Sequence, residues 1–260
     1  MDANARLTNL TRLGFATRGL LYLVIAFLVI WTGRAEDPSG ALRYLGEGGG
    51  KVLLVVMTAG LIAYGLWRLA DAAFDIEHHG TSHKGLAERA GAAVSGVVHL
   101  LLAWQAIRLM RGAASSAEGT QQGTQAALQL PGGGMLVVLA GVVLLVVGIL
   151  QLVKAAKASF LRHLEPGVAQ QPWVRWSGQA GYAARGVVFM ISSYFLVRAG
   201  VEEQASEAGG TAQALSWLSS PTDAIVAAGL CCFGLFSLVE ARYRQLHDVP
   251  VDEMVRKAAG

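Results

Sequence analysis

Leu13-Gly14-Phe15-Ala16-Thr17-Arg18-Gly19-Leu20-Leu21-Tyr22 opens a long apolar run, and its outline returns twice along the chain. It comes back as Ala90-Gly91-Ala92-Ala93-Val94-Ser95-Gly96-Val97-Val98-His99, and again as Ala180-Gly181-Tyr182-Ala183-Ala184-Arg185-Gly186-Val187-Val188-Phe189. Each copy is followed by a polar connector that holds an Ala-Leu pair: Ala41-Leu42, Ala127-Leu128 and Ala214-Leu215. A second apolar run then carries a matching glycine (Gly65, Gly148, Gly234), and six residues further on stands an ionisable side chain: Asp71, Lys154 or Glu240. Recurrence of this kind marks a repeated supersecondary unit. The chain therefore divides into three copies of one pair of segments, over 10–75, 86–160 and 174–246, with a tail at 247–260.

The segments belong in lipid. Of 260 residues 53% are hydrophobic and 15% are charged, with a mean hydropathy of +0.45; an ordinary soluble domain carries about 25% charge. The deficit is concentrated in six runs near 13–32, 51–73, 90–110, 134–155, 180–199 and 222–241. Runs of about 20 residues can cross a hydrocarbon core of about 30 Å. Turn-forming stretches such as Asp37-Pro38-Ser39-Gly40, Pro131-Gly132-Gly133-Gly134 and Ser219-Ser220-Pro221 bound them. Backbone groups in hydrocarbon have no water to bond, so the spans must be helices. The fold class is an all-α membrane protein, with six transmembrane helices as three parallel two-helix repeats. Parallel repeats share an axis along the membrane normal. A pseudo-threefold bundle follows, and an open arc of hairpins is the other arrangement the pattern allows.

Charge sets the orientation. The net charge is +3 and the pI about 9.0. The cations sit at the ends of apolar runs, where they orient a membrane protein, so the basicity does not call for nucleic acid. With the N-terminus inside, fifteen Lys and Arg fall on the inner side, among them Arg6, Arg12, Lys84, Lys157 and Arg244; six fall outside, at Arg34, Arg43, Lys51, Arg108, Arg111 and Arg198. The positive-inside rule then puts both termini in the cytoplasm. Nothing after the first run resembles a signal-peptide cleavage site, so that run is expected to stay as a helix. Cys231 and Cys232 are adjacent on one helix and point apart, which suits packing and not a mutual disulfide.

Helical spacing picks out inward faces. Gly14, Arg18 and Tyr22 are four apart, as are Gly91, Ser95 and His99, and Gly181, Arg185 and Phe189. On the second helices the stripes are Tyr64-Trp67-Asp71, Val147-Leu150-Lys154 and Phe233-Phe236-Glu240. Charges inside spans should face protein. Arg18, Asp71, Lys154, Arg185 and Glu240 are thus candidates for one intramembrane charge network, with Tyr22, Ser95 and His99 as inward polar neighbours. The expected role is to stitch the hairpins together by ion pairs; the sharper reading is an ion-handling gate. In repeat two one position loses its cation (Ser95) and the other gains one (Lys154), which fits pairing. His99 is expected to hydrogen-bond a nearby carbonyl or hydroxyl, because a lone histidine without an acid beside it makes a poor proton relay. Glycines five apart, such as Gly14/Gly19 and Gly229/Gly234, lie about 140° apart around a helix and open two flanks to close approach.

The loop Glu77-His78-His79-Gly80-Thr81-Ser82-His83, with Asp75 before it, is the one stretch dense in zinc-type ligands. It is short, glycine-broken and has no cysteine, so a solvated loop is the expected reading and no metal is assigned; His78, His79 and His83 stand as the candidates. Arg242-Tyr243-Arg244 and the stretch from Lys154 to Arg162 are expected to meet anionic lipid headgroups. There is no P-loop, no His-Glu-x-x-His, no Gly-x-Ser-x-Gly and no carrier-type Pro-x-Asp/Glu-x-x-Lys/Arg motif. No cofactor and no enzymatic activity are implied.

The Gly-x-x-x-Arg-Gly start of repeats one and three, the Ala-Leu connectors and the closing stretch from Gly234 through Glu240 to Arg242-Tyr243-Arg244 resemble a bacterial family of integral membrane proteins catalogued as domain of unknown function 1206. The resemblance runs from about Leu10 to Leu246. It implies three repeats of a two-helix unit, set as a multi-pass protein in a bacterial plasma (inner) membrane, and brings no activity, substrate or catalytic residue. Ser95 and Lys154 depart from the pattern, so strict equivalence of the three repeats is not expected. The function that follows is a non-enzymatic structural, scaffold or stress-related membrane component, with the bilayer as its partner. The alternative is a small channel or transporter with a path along the pseudo-threefold axis.

Overall fold

A computed structural model describes residues 3–47, 50–77, 79–112 and 119–245. Its α-helices are α1 (Ala3–Thr32), α2 (Pro38–Glu47), α3 (Lys51–Phe74), α4 (His83–Met110), α5 (Gly119–Leu128), α6 (Gly133–Lys157), α7 (Pro166–Ala169), α8 (Pro172–Glu202), α9 (Thr211–Trp217) and α10 (Thr222–Tyr243). Six of them are long and apolar enough to cross a membrane, over Thr11–Thr32, Lys51–Phe74, Gly85–Met110, Gly133–Lys157, Pro172–Glu202 and Thr222–Tyr243. Their ends follow from local chemistry. Asp75 ends α3 in the left-handed region (φ 56) with its N–H on the Asp71 carbonyl, the Ser82 side chain caps α4 by accepting from the Gly85 N–H, and Pro172 starts α8, where its missing N–H costs nothing. The ends of α3, α6 and α10 and the starts of α1, α4 and α8 share one side, called here the terminal face.

The connectors on the opposite face are not mere loops. They fold into the short helices α2, α5 and α9, and this explains the recurring Ala-Leu. Ala41, Leu42, Ala214 and Leu215 are at most 1% exposed, plugging the core from above, while Ala127 and Leu128 of the middle repeat are half-buried.

The long helices pack most extensively between repeats: α3 on α4, α6 on α8, and α10 on α1. The same device serves all three contacts. A Cβ added at Gly65, Gly148 or Gly234 would come within 3.0, 3.1 and 2.9 Å of the carbonyl oxygen of Gly96, Gly186 and Gly19 respectively. Each repeat thus lays its second helix on the first helix of the next, and the third returns to the first, so the between-repeat contacts close as a pseudo-threefold ring would. The within-repeat contacts do not. The helices α1 and α3 pack together, as do α8 and α10, whereas α4 and α6 are not packed on each other. The bundle is a ring opened along one seam, inside repeat two, between the two arrangements the sequence allows.

Side-chain volume explains the seam. Within repeat one Gly14 lies against Tyr64 and Gly60 against Thr17; within repeat three Gly181 lies against Phe233 and Gly229 against Ala184. In repeat two the residue matching Gly60 and Gly229 is Val143, which is 51% exposed, and a Cβ at Gly91 would meet nothing within 4 Å. The inward stripes divide the same way. Tyr64, Trp67 and Asp71 are buried, as are Phe233, Phe236 and Glu240, but Leu150 and Lys154 are exposed, contrary to the inward placement expected of them.

Candidate functional site

The charged centre is built at the terminal ends of α1, α3 and α10. Gly14 lets Tyr64 press close to α1, and Arg18, one turn on, reaches across the bundle. Its guanidinium ion-pairs with Glu240, and it donates to Ser237 Oγ (3.2 Å) and to the Tyr64 hydroxyl (3.3 Å). The Phe15 and Phe233 rings flank it with centroids 4.7 and 5.1 Å from Cζ, a cation–π arrangement. Glu240 is 2% exposed and also accepts from Arg244 Nη1 at 2.8 Å. The chain beyond α10 is pinned by the Glu165 N–H on the Tyr243 carbonyl and the Gln245 N–H on the His163 carbonyl, which turns Arg244 inward. Arg244 Nη2 then donates to Glu77 Oε1 at 2.6 Å.

From Glu77 the network passes to the loop before α4. His79 Nε2 lies 3.8 Å from Glu77 Oε2 and 3.5 Å from Asp71 Oδ2, and its Nδ1 lies 2.7 Å from Glu88 Oε2. Asp71 is fully buried; its Oδ1 accepts from the Glu77 N–H (2.9 Å) and its Oδ2 from Arg68 Nη1 (3.3 Å). Asp75 holds the loop's shape by accepting from the backbone N–H groups of His79 and Gly80 (2.8 and 2.9 Å). Burial pulls the Asp75 carboxyl upward, but these donors and Arg89 hold it below its ordinary value. Burial likewise works against ionised Glu77, and the charge and hydrogen bond of Arg244 win, so Glu77 stays below the usual carboxylate range. His163, on the same face, is pushed down to about 4 by burial and by Arg244, with Glu77 partly offsetting.

Three of the five network candidates therefore sit at this centre: Arg18, Asp71 and Glu240. The other two lie apart from it. Arg185 is enclosed by the rings of Tyr22, Phe189 and Phe233, at 5.3, 5.0 and 4.4 Å, and its buried Nε has no hydrogen-bond partner. No carboxylate among the described residues ion-pairs with it or with Lys154. The exchange of Ser95 and Lys154 is therefore not an exchange of partners: with α6 swung away from α4, Lys154 is left on the open side, in the fields of Arg185, Glu88 and Arg68.

The remaining candidates fall in varied places. Tyr22 packs edge-on against Phe233 at 4.9 Å, beside Arg185. His99 Nδ1 pairs with the Ser95 carbonyl at 2.7 Å, and its ring lies 4.6 Å from Tyr64. His83 is exposed at the start of α4; His78 and the tail 247–260 lie outside the described residues. Arg244, expected among lipid headgroups, is instead 9% exposed within the ionic centre. Arg68, Glu77, Glu88 and Arg244 were not foreseen as members. Two signals were available: Glu240 and Arg244 stand at i, i+4, and Arg68 and Asp71 at i, i+3, the spacings of helical ion pairs.

Three segments of the chain, 13–75, 90–158 and 180–244, match the family described as Domain of Unknown Function (DUF1206). The chain belongs to the DUF1206 family. Each matched segment of this DUF1206 protein holds one pair of long helices with its short outer helix. A Bacillus subtilis (strain 168) relative, Uncharacterized protein YxxB, is 29% identical over an alignment of 248 positions that covers 90% of each chain. No solved structure matches. In the DUF1206 frame Arg18, Asp71, Glu240 and Arg244 fall inside matched segments, whereas Glu77, His79 and Glu88 belong to the connector between the first two.

Proposed function

We propose that this DUF1206 protein is a non-enzymatic scaffold of the bacterial inner membrane, with its terminal face toward the cytoplasm, and that its working surface is the seam of repeat two, where it holds an acidic phospholipid. The excess of Lys and Arg on the terminal face supports the orientation. The observation that carries the reading is Lys154: an exposed cation of α6, without a carboxylate partner among the described residues, at the terminal end of the seam, whose two walls α4 and α6 are apolar. Val97, Val98 and Leu101 of α4 and Val146, Ile149 and Val153 of α6 are all at least 40% exposed in the isolated chain. Acyl chains suit those walls. A phosphate suits Lys154, the exposed Lys157 three residues on along α6, and the exposed Arg162, whose charge acts on Lys154. Arg185 adds a second cation deeper in the fold.

The test is thermal stability of the purified protein in nanodiscs of phosphatidylglycerol or phosphatidylcholine. The acidic lipid should raise Tm for the wild type, and Lys154→Gln with Lys157→Gln should abolish the difference. Equal Tm in both lipids, or a difference that the double variant keeps, refutes the lipid reading. Solute flux in proteoliposomes that depends on Lys154 would replace it with the channel alternative.

A further inference from the structure

We propose that Asp71, Glu77 and His79 form a site for a divalent transition-metal ion, of the zinc class, at the terminal face. One ligand atom from each lies within 4.8 Å of the others. The imidazole decides the matter. Glu88 Oε2, 2.7 Å from His79 Nδ1, accepts a hydrogen bond from Nδ1–H, which leaves Nε2 with a lone pair. That Nε2 is buried, has no hydrogen-bond partner, and faces Asp71 Oδ2 at 3.5 Å and Glu77 Oε2 at 3.8 Å. A lone pair turned toward two carboxylate oxygens is repelled unless a cation lies between them. A proton on Nε2 would serve poorly, since both oxygens stand beyond normal N–H···O reach. A metal ion fits better: ligands held at about 2.0–2.2 Å in a tetrahedron stand roughly 3.4 Å from one another.

The surroundings suit this use. Glu88 supplies the carboxylate that commonly orients a ligating imidazole. Arg244 occupies Glu77 Oε1 and holds that carboxylate ionised while leaving Oε2 free; the Glu77 N–H occupies Asp71 Oδ1 and leaves Oδ2. The imidazole disfavours calcium and magnesium, which take oxygen ligands. Arg68 Nη1, 3.3 Å from Asp71 Oδ2, opposes the cation and must swing aside or weaken it. A bound ion would tie the loop before α4 to the end of α3, and through Glu77 and Arg244 to Glu240 and Arg18.

The experiment uses the full chain without a histidine tag, stripped with chelator in mild detergent and titrated with Zn2+ by calorimetry, with Co2+ absorption reporting ligand geometry. One Zn2+ per chain is expected, with a rise in Tm. His79→Ala should abolish both, Glu88→Gln should weaken binding about 10–100-fold, and His83→Ala should change neither. His79→Ala and Glu88→Gln leave the Arg18–Glu240–Arg244–Glu77 pairs in place, so their metal-free Tm should stay near wild type and loss of binding is not loss of fold. Absence of stoichiometric Zn2+ in the wild type, or binding that survives His79→Ala, overturns the assignment.

Discussion

Glu240→Gln keeps the shape of the side chain and removes its charge, which makes it the sharpest probe of the ionic centre. Glu240 is 2% exposed and receives Arg18 on one side and Arg244, at 2.8 Å, on the other. Arg244 keeps a second partner in Glu77 at 2.6 Å. Arg18 keeps only the hydroxyls of Ser237 and Tyr64 and its aromatic neighbours. Removing one member of a buried pair costs about 3–5 kcal/mol because it strands the other charge. The glutamine retains an acceptor oxygen, which places the loss near 3. The comparison is Glu202→Gln, which breaks the Arg198–Glu202 pair, also 2.8 Å long but with side chains 43% and 39% exposed; there solvent screens the pair and the loss should be much smaller. At about 2–4 °C per kcal/mol for a chain of this size, Tm should fall by about 6–12 °C for the first variant and by far less for the second. Thermal unfolding in mild detergent, followed by tryptophan fluorescence, reads both. Arg18→Met with Glu240→Leu should recover most of the loss, since an apolar pair of similar volume replaces a buried ion pair at little cost. If Glu240→Gln melts like Glu202→Gln, or if the double variant loses the sum of its singles, the centre is not structural glue and its charges are kept for another task.

Two further outcomes follow from packing and protonation. Gly234→Ala places a Cβ 2.9 Å from the Gly19 carbonyl and 2.8 Å from Leu23, and should destabilise by about 1–3 kcal/mol; Gly91→Ala meets nothing and should stabilise by about 0.5–1 kcal/mol through helix propensity, both read in the same melt. His163 is held neutral down to about 4 and its Nε2 accepts from Arg162 Nε, so the unfolded chain, with an ordinary histidine near 6.5, takes up the proton first. Stability should therefore fall as pH drops from about 6.5 toward 4, and His163→Gln should flatten Tm over that window. Glu77 adds to the fall only lower, once pH passes below the ordinary carboxylate range.

The sequence made the spans legible because hydrocarbon leaves a chain few choices: about twenty apolar residues, helical throughout. The inward faces of repeats one and three were legible for a related reason, since Arg18, Asp71 and Glu240 cannot face lipid. The partners of those charges were harder to see. Glu77 and His79 stand in the loop before α4 and Glu88 in the early turns of α4, where charge is ordinary, and only folding brings them beneath Arg244 and against Asp71. The seam was legible in part. Val143, where the other repeats carry Gly60 and Gly229, removes the small surface on which a hairpin closes, but periodicity alone does not say that the two helices of one repeat will part while their contacts with neighbouring repeats survive.

That separation follows from how the ring is held. Its strongest contacts join one repeat to the next, glycine on glycine at Gly65 and Gly96, Gly148 and Gly186, Gly234 and Gly19. These are heterologous contacts, which close a ring by rotation and do not require each unit to be closed within itself. With three repeats on one chain, α4 is secured by α3, and α6 by α8, whatever happens between α4 and α6. The middle repeat is thereby released from the volume constraints its neighbours obey. It is also the repeat that has Ser95 where the others have arginine, Lys154 where they have an acid, and Val143 where they have glycine. Val143 belongs to the hairpin contact that repeat two does not make, whereas Ser95 and Lys154 stand where Arg18 and Glu240 form an ion pair between repeats, so repeat two lacks that pair with its neighbours as well. A lysine is tolerable there because it stands exposed on the open side of α6, whereas the same lysine at position 71 or 240 would be buried against Arg68 or Arg18.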